Sequence, residues 1–513
     1  NMALCITLGE LIHQLAVKYE DRPAITMAVS GETLSYREFD TLINRIGHGL
    51  LSLSEIKSTY VGIMHENDLN YLAMTYALKK INKIEVSINR AFKGHSLSRM
   101  INLTECDIMM TSTSHFGALD QIKSDLPHLR MLIVTSGVEE ARAKFPQWTI
   151  LPFEEILSDE TSHITSNAKD TESATIMFTS GTTGVSKGCL LSHRYAVRTA
   201  ENIITPFRLT CGDVNYTTYP LSHISAYYDI LPSLMVGGRV VMRDHFSLSK
   251  FWDEVIRHGA TWFMCLGSVQ QLLYSAPPSS KDRAHKITKC WSTPAPVPKA
   301  DFDARFGLHL IPGGGYGSTD AGWVVTPQWN HPGGVVLPHY EIAIVDENNN
   351  FVPAGVKGEM IIRSKEPGVM ADGYFGMSYK NLSSQQNDWL HTGDIGWLDN
   401  EGLFYFTCRM AERIRVKGEM ISIFEVEEGA LSHLEIEDAA AIGIPSEMGE
   451  EDIRLFVILK PSSSLTKDMI RTHCQTVMAR FMVPKIITIL KDMPRTPTGK
   501  IEKGKLAKIA VNN

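Results

Sequence analysis

Apolar residues recur along this chain with two alternating periods. Leu8, Leu11, Ile12, Leu15 and Ala16 fall at helical spacing, and Thr7 with Glu10 offers a capping box at the start of that run. The pattern returns with Ser35 and Glu38 ahead of Phe39, Leu42, Ile43, Ile46 and Leu50. Between such stretches lie apolar runs of strand length at 60–64, 107–111 and 131–134. Strands and helices in alternation predict a parallel sheet covered by helices. No internal repeat or low-complexity segment interrupts them.

The pattern changes after about Phe406. Arg413, Arg415 and Lys417 alternate with Ile414 and Val416, which predicts a half-buried strand with one basic face. A helix over 423–434 and a strand over 439–444 are expected next, and residues 494–499 are rich in turn formers. The predicted organisation is a large first domain over 1–408 and a second, mobile α+β domain over 409–513, of a usual domain size.

Composition narrows the class. The chain has 513 residues, more than one ordinary domain, and its 43% hydrophobic and 21% charged content is that of a soluble globular protein. A formal net charge of −7 gives no reason to expect nucleic acid or an anionic membrane as partner. Eight scattered cysteines without a CxxC pair argue against a disulfide framework or a structural zinc site. There is no basic stretch followed by a long apolar core, and no uncharged apolar run approaches the ~18 residues of a membrane span. A cytoplasmic protein is expected. Oligomeric state is not legible.

The candidate chemistry begins at Thr179-Ser180-Gly181-Thr182-Thr183-Gly184-Val185-Ser186-Lys187-Gly188, directly after the apolar run 174–178. A buried strand followed by a forced tight loop brings backbone N–H groups, hydroxyls and a lysine into one small volume, which suits a polyphosphate. The spacing is not that of a Walker A loop, because Ser186 stands where glycine would precede the lysine. A plain surface loop has the same composition. Four later segments join it. Tyr316-Gly317-Ser318-Thr319-Asp320 follows three glycines, and Trp389-Leu390-His391-Thr392-Gly393-Asp394 is expected to put its carboxylate in a tight turn. Arg409 lies at the domain boundary, and Pro494–Lys500 sets a lysine on a stiff, solvent-facing turn. Singly, each has an ordinary reading: Gly393-Asp394 as a turn, Lys500 as a solvated lysine, the basic strand as a solvated face, His223 as a core histidine.

In this order and at these separations the segments resemble the core motifs of the adenylate-forming superfamily: acyl-CoA synthetases, amino-acid adenylation domains and beetle luciferases. The resemblance runs from the Ser35 helix to Lys503, and within the superfamily the chain looks most like bacterial acyl-CoA ligases of the crotonobetaine/carnitine type. It implies an α/β fold, with a large N-terminal domain of helix-covered mixed sheets, a small β subdomain and a small α+β C-terminal lid. It also implies a two-step ligase activity. A carboxylate attacks the α-phosphate of ATP, giving an acyl-adenylate and pyrophosphate, and a thiol, usually that of coenzyme A, then displaces AMP.

By the same resemblance Thr179, Ser180, Gly181, Thr182, Thr183, Gly184 and Lys187 would hold the β- and γ-phosphates. Lys500 would bridge the substrate carboxylate and the α-phosphate, a cation between two anions that must react. Mg²⁺ would lie near Asp320 and Thr182 or Thr183. Asp394 and Arg409 would hold the ribose, while Tyr316 would stack on adenine beside Gly317, Thr319 and the segment 292–296. His223 would line the acyl pocket and gate the thiol tunnel, and Gly418 would let the second domain approach pantetheine. The C-terminal domain is expected to rotate between the two steps.

Several positions depart from the pattern. Asp320 stands where most members carry Glu, Ser186 replaces a Pro, Cys408 replaces a Gly or Asp, and Ala411 occupies the hinge position. Two alternatives follow: an adenylating enzyme that loads a carrier-protein thiol, and a degenerate relative that only senses an adenylate. Amino-acid adenylation is disfavoured, because 219–223 holds no Asp to pair with an α-amino group. The acid is expected to be small or medium-sized, with fatty-acid or carnitine metabolism as the context. Tyr227, Tyr228, Trp323 and Asp229 have the composition of a quaternary-ammonium cage, and equally that of ordinary core residues.

Overall fold

The computed structural model describes residues 6–53, 58–180, 186–293, 297–311, 314–378, 385–386, 388–409, 413–416, 419–447, 449–494, 501 and 503–509. Two helix-covered sheets form most of a large N-terminal α/β domain. In the nine-stranded one the parallel strands Ile84–Ser87, Tyr60–Met64, Ile108–Thr111, Met131–Val134 and Thr149–Pro152 lie in that order. Ser173–Ser180 runs parallel to Ile84–Ser87, and Ser186–Ser192 then folds back antiparallel on it. The seven-stranded sheet is built on the parallel strands Arg239–Met242, Val214–Thr217, Trp262–Leu266 and Lys289–Thr293. Helices packed between the two sheets bury one continuous core.

Local signals explain the first helices. Ser35 caps Tyr36–Ser52 through a complete box: its hydroxyl accepts from Glu38 N at 3.1 Å, and Glu38 Oε2 accepts from Ser35 N at 2.8 Å. The box expected at Thr7 forms only by half. Thr7 accepts from Glu10 N, but the Glu10 carboxylate is engaged by Gln14 and by His163, 3.1 Å away. Beneath these helices two lysines are fully buried as ion pairs, Lys79 with Glu85 and Lys80 with Asp40, each at 2.6 Å.

A third, eight-stranded sheet carries Tyr316–Ser318, Gly358–Ser364, Trp389–Leu398 and Phe404–Arg409. The smaller C-terminal α+β domain follows. Its basic hairpin, Arg413–Val416 with Glu419–Ser422, buries Ile414 and Val416 as the alternation predicts. Its helix spans Ile423–Leu431, shorter than expected, because Ser432 turns its hydroxyl back onto Gly429 O and the chain leaves in tight turns. Its sheet pairs Ile436–Pro445 with Glu451–Leu459 and Ile486–Leu490.

The smaller domain rests on the larger. Arg99 grips both Glu428 carboxylate oxygens at 2.9 and 3.0 Å, Phe92 meets Phe481 edge-on, and the strand Glu419–Ser422 packs against Ser173–Ser180. Among the described residues no helix is long and apolar enough to cross a membrane. Among the described residues six cysteines are free.

Candidate active site

The strand Ser173–Ser180 and its return from Ser186 form a hairpin, with Thr179 across from Lys187 and Ser180 across from Ser186. Backbone pairing therefore delivers the lysine of the loop to the same end as Thr179. The Lys187 ammonium lies 4.8 Å from the centre of the Tyr374 ring. Gly181, Thr182, Thr183 and Gly184 lie outside the described residues, as do Gly418, Lys500 and residues 294–296; the backbone of Ser180 and Arg409 is described, not their side chains.

The nucleotide candidates converge. Tyr316 opens a strand, and its hydroxyl donates to Asp394 Oδ2 at 2.7 Å. Asp394 is fully buried and lies in the middle of the strand Trp389–Leu398, not in the tight turn expected from Gly393-Asp394. Gly393 has a φ of 69°, which bends the strand without ending it. In the antiparallel pairing Asp394 stands opposite Arg409, so the two ribose candidates are backbone neighbours. The Tyr316 ring is buried edge-on to Phe404.

Three positioning groups were not legible in the sequence. Glu359 accepts from Gly393 N at 2.9 Å and pairs with His391 Nδ1 at 2.8 Å, so one carboxylate clamps the strand before Asp394. Tyr195, from the helix His193–Ile204, donates to the carbonyls of Ser318 and Thr319 and holds the turn leading to Asp320. Cys189 faces Asp320, its Sγ donating to Oδ1 at 3.5 Å. Helical and strand periodicity cannot reveal partners this distant in sequence.

His223 precedes a one-turn π-helix, Ala226–Ile230. Its Nδ1 accepts from Ser225 N at 3.2 Å. Burial and the nearby Arg415 guanidinium push its pKa down to about 4, so the ring is neutral at ordinary pH. Arg415 comes from the basic hairpin of the smaller domain, so that hairpin faces the His223 region. Ile501 packs instead with Met493 and Leu506, against Ala440, Ile442 and Phe456. Ile414 and Val416 pack against Ala439, Ala441 and Leu455 on the opposite face of the same sheet.

Next to Tyr316 the backbone has no room to spare. A Cβ on Gly317 would lie 2.5 Å from Tyr228 Oη, and one on Gly315 would lie 2.8 Å from the Trp291 ring. The strand that begins at Tyr316 is thus laid directly on an aromatic wall, which only glycine allows. Of the aromatics expected in a cage, Tyr228 and Trp323 belong to this wall. Tyr227 does not: it turns to Thr175 Oγ1 and Tyr195.

Residues 12–375 match the family described as AMP-binding enzyme. The chain belongs to that family. Residues 425–500 match the AMP-binding enzyme C-terminal domain, so both domains of an AMP-binding enzyme are accounted for. A probable CoA ligase, CCL9 of Humulus lupulus, is 27% identical over 98% of this chain and 96% of its own length. A crotonobetaine/carnitine–CoA ligase of Salmonella arizonae is 28% identical over 97% of this chain and 98% of its own. Among solved structures, an o-succinylbenzoate CoA synthetase double mutant from Bacillus subtilis, bound with a product analogue, gives a TM-score of 0.81 at 22% identity, covering 98% of each chain. The amide bond synthetase McbA of Marinactinospora thermotolerans gives 0.82 at 19% identity, covering 98% and 99%. These structural likenesses establish a shared fold over 98% of the chain.

Proposed function

We propose that this AMP-binding enzyme is an ATP-dependent acyl-CoA ligase that forms AMP and pyrophosphate from a small or medium carboxylic acid. The observation that carries the reading is the hydrogen bond from Tyr316 to Asp394, which stands opposite Arg409 on paired strands, together with a hairpin that brings Thr179 and Lys187 to one end.

In the first step a carboxylate oxygen of the acid attacks the α-phosphorus, and the bond to the β,γ-pyrophosphate breaks. Lys187 and the Thr179 hydroxyl would receive charge on the departing pyrophosphate, and Lys500 would hold the acid against the α-phosphate. Asp394, with Arg409 opposite it, would bind the ribose hydroxyls, for which a buried carboxylate is a strong acceptor. Asp320 fits a magnesium role: Mg²⁺ bound with nucleotide phosphates needs only one or two protein carboxylates, and Cys189 already orients this one. Bound there, the ion would neutralise phosphate charge.

In the second step a thiolate attacks the acyl carbon and AMP leaves. A neutral His223 at the acyl junction can line that path without trapping the anionic thiol. Support for coenzyme A as the thiol comes from the cleft between the domains, where Lys93, Arg471, Arg480 and Lys485 gather, suited to its nucleotide phosphates. Three carboxylates share that cleft, of which Asp452 is neutralised by Lys485 at 2.6 Å.

The test is mass spectrometry of the protein with Mg-ATP and a pooled panel of acids, with and without coenzyme A. An acyl-CoA appearing together with AMP is the expected result. An acyl-adenylate that never becomes a thioester would move the acceptor to a carrier protein. No product from folded, ATP-binding protein would overturn the enzymatic reading in favour of a sensor.

A further inference from the structure

A proline interrupts the segment that carries His223. Pro220 has no N–H to give, so a regular ladder cannot carry the chain onward from the strand Val214–Thr217 through 219–223. The chain turns there instead, and His223 N closes the turn by donating to Pro220 O at 3.0 Å. A side chain from the other helix-covered sheet then takes hold of it. Asn67 follows the strand Tyr60–Met64 and is 3% exposed. Its Nδ2 donates to Tyr219 O at 2.6 Å and, more weakly, to Arg243 O at 3.4 Å, while its Oδ1 accepts from Leu221 N at 3.0 Å. One amide thus grips the chain on both sides of Pro220, as a neighbouring strand would. An amide side chain offers a donor and an acceptor on one short planar group, which is what the two flanks of a proline leave open.

Asn67 is itself held fast. Asp68, next in the chain, caps the helix Leu69–Lys80 by accepting from Tyr71 N at 2.8 Å. Asn67 N donates to Asp244 Oδ1 at 2.9 Å, and Arg90 holds Asp244 through Oδ1 at 2.6 Å and through its carbonyl at 3.1 Å. Arg90, Asn67, Tyr219 and Asp244 each follow the carboxyl end of a parallel strand, two from each helix-covered sheet. In open α/β sheets that edge is where ligands are handled. The phosphate hairpin leaves from the same edge, because Ser173–Ser180 runs parallel to Ile84–Ser87. Asn67 therefore joins the two sheets at the end of the molecule that carries the candidate site.

We propose that Asn67 is a positioning residue for the second step: it sets the segment 219–223, and through it His223, against the path of the thiol. The inference rests on the ligase reading, in which His223 lines that path. Two observations favour positioning over general packing. Tyr219, Leu221, Arg243 and Asp244, which Asn67 holds, are not among the residues assigned to the nucleotide, so the grip serves the acyl end of the site. The His223 ring takes its hydrogen bonds from Ser225, two residues on, so the ring goes where the turn goes. Fixing that turn from a capped helix leaves His223 little freedom to block or miss the incoming thiol.

The experiment compares the wild type with Asn67→Ala, Asn67→Asp and His223→Ala, using Mg-ATP, coenzyme A and the panel acid that the wild type turns over fastest. Pre-steady-state assays follow adenylate formation and thiol transfer separately. Asn67→Ala is expected to slow thiol transfer on the order of 10- to 100-fold, the cost of misplacing a group by about an ångström. Adenylate formation and KM for ATP should stay within about twofold. Added to His223→Ala, the same change should cost little more, because one residue acts through the other. Histidine-ring NMR gives a reading without turnover. The His223 pKa, about 4 in the wild type through burial and the nearby Arg415, should rise in Asn67→Ala toward the ordinary ~6.5 as the turn loosens.

Asn67→Asp keeps the shape and covers the case in which the alanine variant does not fold. Its carboxyl would have Asp244, Glu66 and Asp68 as acidic neighbours and Arg90 and His65 as basic ones. Ionised, it repels the Tyr219 carbonyl; protonated, it donates to it as the amide does. Relative to wild type, its ratio of thiol transfer to adenylate formation should therefore rise as pH falls. Equal loss of both half-reactions, a flat ratio in Asn67→Asp, or an unmoved His223 pKa would overturn the inference and leave the ligase reading standing. No product from the wild type with any acid would overturn both.

Discussion

The Tyr316 hydroxyl donates to Asp394 Oδ2 at 2.7 Å, joining two residues that are 78 positions apart. One was expected to take the adenine and the other the ribose, and the bond makes them one recognition unit. A hydrogen bond to a charged acceptor contributes about 1.5–3 kcal/mol, so Tyr316→Phe should raise KM for ATP about tenfold or more. The check is a double-mutant cycle with Asp394→Asn. Coupled behaviour makes the double variant little worse than Asp394→Asn alone; simple additivity would mean that the bond does not serve nucleotide binding.

Gly317→Ala should lower kcat/KM for the acid on the order of 10- to 100-fold, the range of overpacking penalties in closed sites. The added methyl would meet Tyr228 Oη at 2.5 Å and Gly322 O at 2.9 Å. Adding Tyr228→Phe removes the first clash and should restore part of the loss. Steady-state kinetics of the single and double variants measure it, and no restoration would place the damage at the Gly322 carbonyl.

Lys500→Ala should reduce acyl-adenylate formation by about 100-fold or more, the scale on which a single charge-stabilising group acts. Thioester formation from supplied acyl-adenylate should fall far less. Separate assays of the two half-reactions read this out, and equal loss in both would contradict a first-step role for the lysine.

Acid should weaken the fold through His193. This ring is 2% exposed, its Nδ1 accepts from Leu8 N at 3.1 Å, and burial holds its pKa down to about 3. The folded ring stays neutral where the unfolded one binds a proton. Its contribution is therefore fully present above about pH 6.5 and declines as pH falls toward 3, by about 1.4 kcal/mol per pH unit. Urea unfolding of the wild type and His193→Gln between pH 5 and 7 should show a shallower pH slope in the variant.

Much of the architecture is legible because it is written in local periodicity. The strands at Tyr60–Met64 and Met131–Val134 and the capped helix after Ser35 appear where the pattern puts them. The misreadings arise where tertiary partners compete with local signals. Glu10 leaves its capping box because His163 takes the carboxylate. Gly393-Asp394 is a bend within a strand because Glu359, 34 residues away, pins Gly393 N in a sheet. Cys189 looked like one scattered cysteine until the fold set it beside Asp320, 131 residues later. The aromatic wall was visible as composition, but only strand register shows that Trp262 and Trp291 share a face and that Tyr227 points elsewhere.

The pairing of Asp394 with Arg409 also limits how the molecule can move. Arg409 ends the last strand of the third sheet, and Arg413 begins the basic hairpin of the smaller domain. The four steps of chain between them can reach about 14 Å at full stretch. The smaller domain is therefore leashed at the very strand pair proposed to grip the ribose. Any rotation of that domain would have to turn about this anchor, within the reach of those four steps. Whatever it presents to the acyl group next, it would present while the nucleotide end stays fixed in place.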